Sequence, residues 1–238
     1  GVADVSYRCV TLDVATIKGG KKVYSASVTS PAEARAKGLH QPGAIEGVDA
    51  MFDPVRYRIT PDMTILDVTV PDTGTSKAEL PAALESYRKA LQARYASVFS
   101  DKPVKPGDAW RSKIPMAEGL WKTAAKVQSV DYQNIMRLAG YEMQHGVLCA
   151  VLEFEMKIGD GNATEIVRDT HISVVAQSFT GRSRIWYAAD LGYPVREEST
   201  LDARLIRRRY AGKEVAQELM FDVHQTINTE CIAPRSAR

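Results

Sequence analysis

Apolar and polar positions alternate with a period of two along most of this chain, and one stretch departs from that rhythm. Leu80, Leu84, Tyr87, Leu91, Tyr95 and Val98 step by three or four residues. That spacing puts them on one stripe of a helix, with Glu85, Arg88, Lys89, Gln92 and Arg94 on the watered side. The spacing predicts a helix over 80–99. Ser76 and Glu79 have the separation of a capping box, while Pro81 favours a start nearer Leu80, so the first turn stays open between them. Pro103 and Pro106 end the helix, because neither supplies a backbone N–H. Pro106-Gly107-Asp108 reads as a turn into a strand that opens at Trp110.

The rest reads as strands. Residues 2–17 and 23–29 form a pair around Gly19-Gly20. Residues 31–47 lack a sustained period and read as a long loop, with a short helical turn at 32–37. Residues 55–60 and 64–70 form a hairpin turning at Pro61-Asp62-Met63; Tyr57 and Ile59 alternate with Arg56 and Arg58, giving one dry and one wet face. Residues 114–126 are ambiguous. From 130 to 232 the pattern is a meander: 130–144, 147–158, 163–179, 182–189, 193–210 and 213–232. Its turns are expected at His145-Gly146, Asp160-Gly161, Gly181, Leu191-Gly192 and Ala211-Gly212. The expectation is one mainly β (α+β) domain over residues 1–238. Its architecture is a strongly curled antiparallel sheet, or half-barrel, with the long helix packed on its concave face.

Composition changes this picture little. A chain of 238 residues can bury a substantial core, and a net charge of +2 gives no general case for nucleic acid. No apolar run approaches the roughly 20 residues of a membrane helix, so a transmembrane chain is not expected. No signal segment is read at the start. Cys9, Cys149 and Cys231 are far apart with no C-x-x-C spacing. They are buried thiols acting as small hydrophobes, or one disulfide and a spare, with Cys9 and Cys231 brought together by a closing sheet.

Lys102-Pro-Val-Lys-Pro-Gly-Asp-Ala-Trp110 follows the predicted helix and a hairpin containing Tyr57-Arg-Ile-Thr-Pro-Asp-Met-Thr-Ile-Leu-Asp-Val68. With the strand pair over 141–154, it resembles a K-P-V-K-x-G-D-x-W pattern of uncharacterised bacterial envelope, lipoprotein-type families. The overall shape is similar to the lipoprotein-carrier half-barrels typified by LolA and LolB. The resemblance implies a periplasmic or outer-envelope protein with an apolar concavity. It carries over no lipid-binding residue, and the lipobox cysteine of lipoproteins is missing.

Candidate chemistry is sparse. His40, His145, His171 and His224 have no metal-ligand spacing, and no G-x-S-x-G elbow or nucleotide-binding loop is present. No catalytic residue, metal or cofactor is expected. Arg204, Arg207, Arg208 and Arg209 read as a solvated strand, or as charges that blunt an edge. Trp110, Trp121, Trp186, Tyr187 and Tyr193 either line a concave pocket or belong to the core; they are the ligand-site candidates. The functional expectation is a non-catalytic extracytoplasmic protein that binds a lipid-like or other apolar ligand. The alternative is a structural or assembly subunit with an envelope protein as partner.

Overall fold

The computed structural model describes residues 2–18, 21–37, 52, 55–61, 64–69, 81, 84, 85, 88, 89, 91, 92, 95, 98–111, 132–158, 164–169, 172–212 and 214–232. The elements are β1 (Ala3–Lys18), β2 (Lys21–Val28), α1 (Pro31–Ala36), β3 (Val55–Ile59), β4 (Ile65–Thr69) and β5 (Ala109–Arg111). They continue with β6 (Tyr132–Gln144), β7 (Val147–Ile158), β8 (Thr164–Asp169), β9 (Ile172–Ala188), β10 (Tyr193–Ala211) and β11 (Glu214–Ile232). The strands form one 11-stranded sheet in the order β4-β3-β1-β11-β10-β9-β7-β6-β5, with β2 also on β1 and β8 also on β9.

The sheet forks at both sides of a spine made by β1, β11, β10 and β9. Residues 3–7 of β1 pair with β3, and residues 12–18 pair with β2. Likewise residues 179–187 of β9 pair with β7, and residues 172–176 pair with β8. Register sorts the faces. Val14, Val223, Ala203 and Phe179 align across β1, β11, β10 and β9, and the next row is Asp13, His224, Asp202 and Thr180. Successive side chains point to opposite faces, so along these rows one face is apolar and the other charged.

Cover over the apolar face comes in pieces. Ala34 of α1 and Phe52 pack on Cys9, Leu12, Val14, Val28 and Phe221. Leu91 and Tyr95 pack with Val5, Tyr57, Ile59 and Tyr193, and Val98 packs with Met136, Leu138, Leu152 and Ile185. α1 forms where the sequence caps it. The Ser30 hydroxyl accepts the Glu33 N–H at 3.2 Å, and the Glu33 carboxylate accepts the Thr29 N–H at 2.8 Å. Pro31 takes the first helical position, where its missing N–H costs nothing.

The expected half-barrel with one long helix on its concave face is corrected: the sheet is open and uncurled, and among the described residues no long continuous helix is present. α1 is the one continuous helix among the described residues. Within the stretch read as a helix over 80–99, helical backbone is described only at positions 81, 84, 85, 88, 89, 91, 92 and 95. Closure would need the ends of the sheet to meet, yet β4 has five residues and β5 three. Such short edges offer few groups to pair.

Two local readings also change. Gly181 is not a turn: β9 runs straight through it, between Met156 and Leu201. A Cβ there would lie 3.3 Å from Met156 Cε, so the missing side chain makes room for the methionine. The single strand read at 163–179 is split between β8 and β9. Cys9 lies opposite Ile227, whereas Cys231 lies opposite Val5. Four residues along β11 amount to about 14 Å, beyond the reach of a disulfide. The turns at His145-Gly146, Leu191-Gly192 and Ala211-Gly212 stand as read. The loop over 38–47, the region 114–126 and the turn at Asp160-Gly161 lie outside the described residues.

Candidate functional site

Alternation along β9 decides where the candidate aromatics go. Trp186 and Tyr187 are neighbours on one strand, so their side chains leave opposite faces. Tyr187 and Tyr193 converge with Pro61, Ala189, Asp190 and Leu191 around an open depression of about 400 Å³. The depression forms where the β9–β10 turn presses on the β3–β4 turn. Gly192 has a φ of 79°, and a Cβ added to it would fall 2.5 Å from the Pro61 carbonyl oxygen. Phe99 meets the Tyr187 ring edge-on, with centroids 5.0 Å apart. Burial pushes the Tyr187 phenol up from its ordinary pKa, so it stays a neutral hydroxyl. Tyr193 is buried beneath, among Tyr57, Tyr95 and Ile59.

Trp186 is a structural anchor. Its Nε1–H donates to Glu142 Oε2 at 2.7 Å, and the Arg184 and Arg196 guanidinium carbons lie 5.2 and 5.0 Å from its ring centroid. Trp110 lies on β5 against Val98 and Met136, with a buried Nε1–H that has no hydrogen-bond partner among the described residues. Trp121, His40 and His171 lie outside the described residues. The motif that carries the resemblance builds a turn against β6. The Gly107 N–H donates to the Leu138 carbonyl at 2.8 Å, and the Leu138 N–H donates to the Asp108 carbonyl at 3.1 Å. Asp108 Oδ2 closes the turn by accepting the Lys105 N–H at 2.9 Å.

A second depression, of about 670 Å³, lies on the charged face. Its polar lining includes Asp13, Lys22, Asp202, Arg204, Asp222 and His224 with the hydroxyls of Ser25, Ser27, Ser178 and Thr180, and Val14, Ala15, Ala26, Ala203 and Val223 complete it. Arg204 holds Asp222 through two hydrogen bonds of 2.7 and 3.0 Å, and His224 Nδ1 lies 2.7 Å from Asp202 Oδ1. Hydrogen bonding from Arg204, supported by its charge and that of Lys22, holds the Asp222 carboxyl below its ordinary pKa. Sequence reasoning missed this group. Its members come from β2, β1, β11, β10 and β9, and only the inter-strand register aligns them. Alternation of Asp13 with Val14, and of Asp222 and His224 with Val223, is the one local signal they leave.

The tip of the β6–β7 hairpin is apolar and exposed. Tyr141, Met143 and Leu148 are 57%, 61% and 56% exposed, and Met143 pairs directly with Leu148. Cys9 and Cys149 are buried free thiols, and burial pushes both above the ordinary thiol pKa. Neither is poised as a thiolate nucleophile. Among the described residues no group of three His, Cys, Asp or Glu side chains is placed to hold a metal, and no helix is long and apolar enough to cross a membrane. Comparison with protein-family models, curated proteins and solved structures gives no match.

Proposed function

We propose that the protein is a non-catalytic binding protein of the bacterial cell envelope that takes a small amphipathic, lipid-like ligand. The site is the depression of about 400 Å³ at the β9–β10 turn. One observation carries this reading: Tyr187, Tyr193, Pro61 and Leu191 supply converging apolar surface, with the Asp190 carboxylate beside it. That volume lies within the roughly 300–1,000 Å³ of small-ligand pockets, and walls that mix apolar and polar surface suit an amphipathic guest. The envelope location and the likeness to lipoprotein carriers belong to the same proposal.

Native mass spectrometry of protein purified from an envelope fraction, followed by organic extraction, tests it. A retained adduct of lipid-like mass is expected. Ala189 is exposed beside the depression, so Ala189→Arg is expected to fold normally and lose the adduct. Bare wild-type protein would sink the carrier reading. The second reading, an assembly subunit, is favoured by the exposed Tyr141, Met143 and Leu148 on the β6–β7 hairpin. Among the described residues no strand pairs with β6 beyond Leu138 on that side, since β5 covers only residues 135–137. Both features suit strand addition by a partner.

A further inference from the structure

The larger depression carries an inference of its own, independent of the aromatic site. Its central side chains already have partners: Arg204 with Asp222, and His224 with Asp202. Asp13 and Lys22 are different. Both line the depression, and among the described residues neither has an ion-pair contact, although the charge of Lys22 acts on Asp222 from a longer distance. They stand at opposite ends of it. Asp13 pairs with Ser27 across β1 and β2, while Lys22 pairs with Ile17, four residues further along β1. At a rise of about 3.4 Å per residue, the carboxylate and the ammonium are attached about 14 Å apart. Between them on β1 and β2 lie Ala15 and the hydroxylated Ser25 and Ser27, while Ser178 and Thr180 stand on β9 at the far side of the depression.

This is the complement of a zwitterion longer than a single amino acid. An extended chain advances about 3.3–3.6 Å per residue, so about four residues span the gap. Peptide groups need donors and acceptors along their length, and serine and threonine hydroxyls offer both. We propose that this face binds a short zwitterionic peptide of about four residues, with its α-ammonium at Asp13 and its α-carboxylate at Lys22.

The test is an NMR titration of the isotope-labelled full chain with tetra-alanine. Saturable shifts confined to residues of β1, β2, β10 and β11 around the depression are expected. N-acetylation or C-amidation of the peptide removes one end charge, and each should weaken binding by about 10-fold. Asp13→Asn should reproduce the first loss and be indifferent to acetylation. Lys22→Met should reproduce the second and be indifferent to amidation. Dialanine, too short to reach both ends, should bind no better than the capped peptides. No saturable shift with tetra-alanine, or affinity that ignores both caps and both substitutions, overturns the proposal. The capped peptides meet unaltered protein, so they decide the question even where a variant fails to fold.

Discussion

Gly192 and Gly212 share a left-handed backbone, with φ of 79° and 66°, in different surroundings. Around Gly212 an added Cβ meets nothing within 4 Å, whereas at Gly192 it meets Pro61 O at 2.5 Å and Pro61 Cα at 2.6 Å. Gly212→Ala should therefore cost only the left-handed penalty of about 1–2 kcal/mol. Gly192→Ala should cost clearly more, because two turns must separate. Urea denaturation of both variants checks this, and equal losses would mean that the Pro61 turn gives way freely. The thiols form a second residue-scale case. Buried Cys9 and Cys149, with raised pKa values, should react slowly with iodoacetamide at pH 8 and quickly in guanidinium, as peptide mapping would show. Their burial was legible, because each sits in an apolar alternating run. Their pairing was not: whether Cys9 meets Cys231 depends on a register that no local pattern encodes. The aromatics divide in the same way. Alternation alone sends Trp186 and Tyr187 to opposite faces, but the meeting of Tyr187 and Tyr193 depends on how two distant turns pack.

The strand pair β10–β11 shows what the basic cluster does. Arg204 pairs across to Asp222, and Arg208 Nε lies 2.8 Å from Glu218 Oε2. The arginines form a cross-strand ladder, in line with the solvated-strand reading. Hydrogen bonding from Arg204 depresses the Asp222 pKa, so this pair stabilises the fold above the ordinary carboxylate range near about pH 4. That contribution is lost as pH falls through the lower folded value. Asp222→Asn should lower stability at pH 7 by less than about 1 kcal/mol, because the two side chains are 47% and 39% exposed. The deficit should shrink toward pH 2, and thermal melts of both proteins across pH would show it; a constant deficit would assign the effect to packing. The β6–β7 hairpin makes the opposite case, since its apolar tip is exposed. Met143→Lys is expected to leave the unfolding free energy within about 0.5 kcal/mol of wild type and to reduce association with any partner that adds to this edge. Urea denaturation and pull-down measure the two effects separately. Element boundaries were largely legible where glycine takes a positive φ, as at Gly146 and Gly212. Gly181 misled because a glycine that makes room for Met156 looks, in sequence, like one that makes a turn.

At the scale of the molecule, β1 and β11, the first and last strands, meet in the middle of the sheet. β11 lies between β1 and β10, and Ile232 is paired with Asp4. No local pattern announces that contact, whereas the meander from β9 to β11 follows directly from short turns. The half-barrel reading failed at this scale too, because forked strands and piecemeal cover are properties of pairing rather than of periodicity. The topology has a kinetic consequence. The β1–β11 ladder joins the two groups of strands, β1 to β4 and β5 to β11, and it forms only after nearly the whole chain closes on itself. Folding dominated by such distant pairing is slow, on the order of milliseconds to seconds. A circular permutant should relieve it. Joining residue 232 to residue 3 through a short glycine-containing turn makes β11 and β1 a hairpin, and new ends fit the exposed turn at His145-Gly146. The permutant is expected to keep a cooperative urea transition and to refold about 10-fold faster. Stopped-flow fluorescence from the buried Trp186 reads the rate. An unchanged rate would place the barrier elsewhere, in assembly of the forked spine at β9, where β10 lies on one side while β7 and β8 must both align on the other.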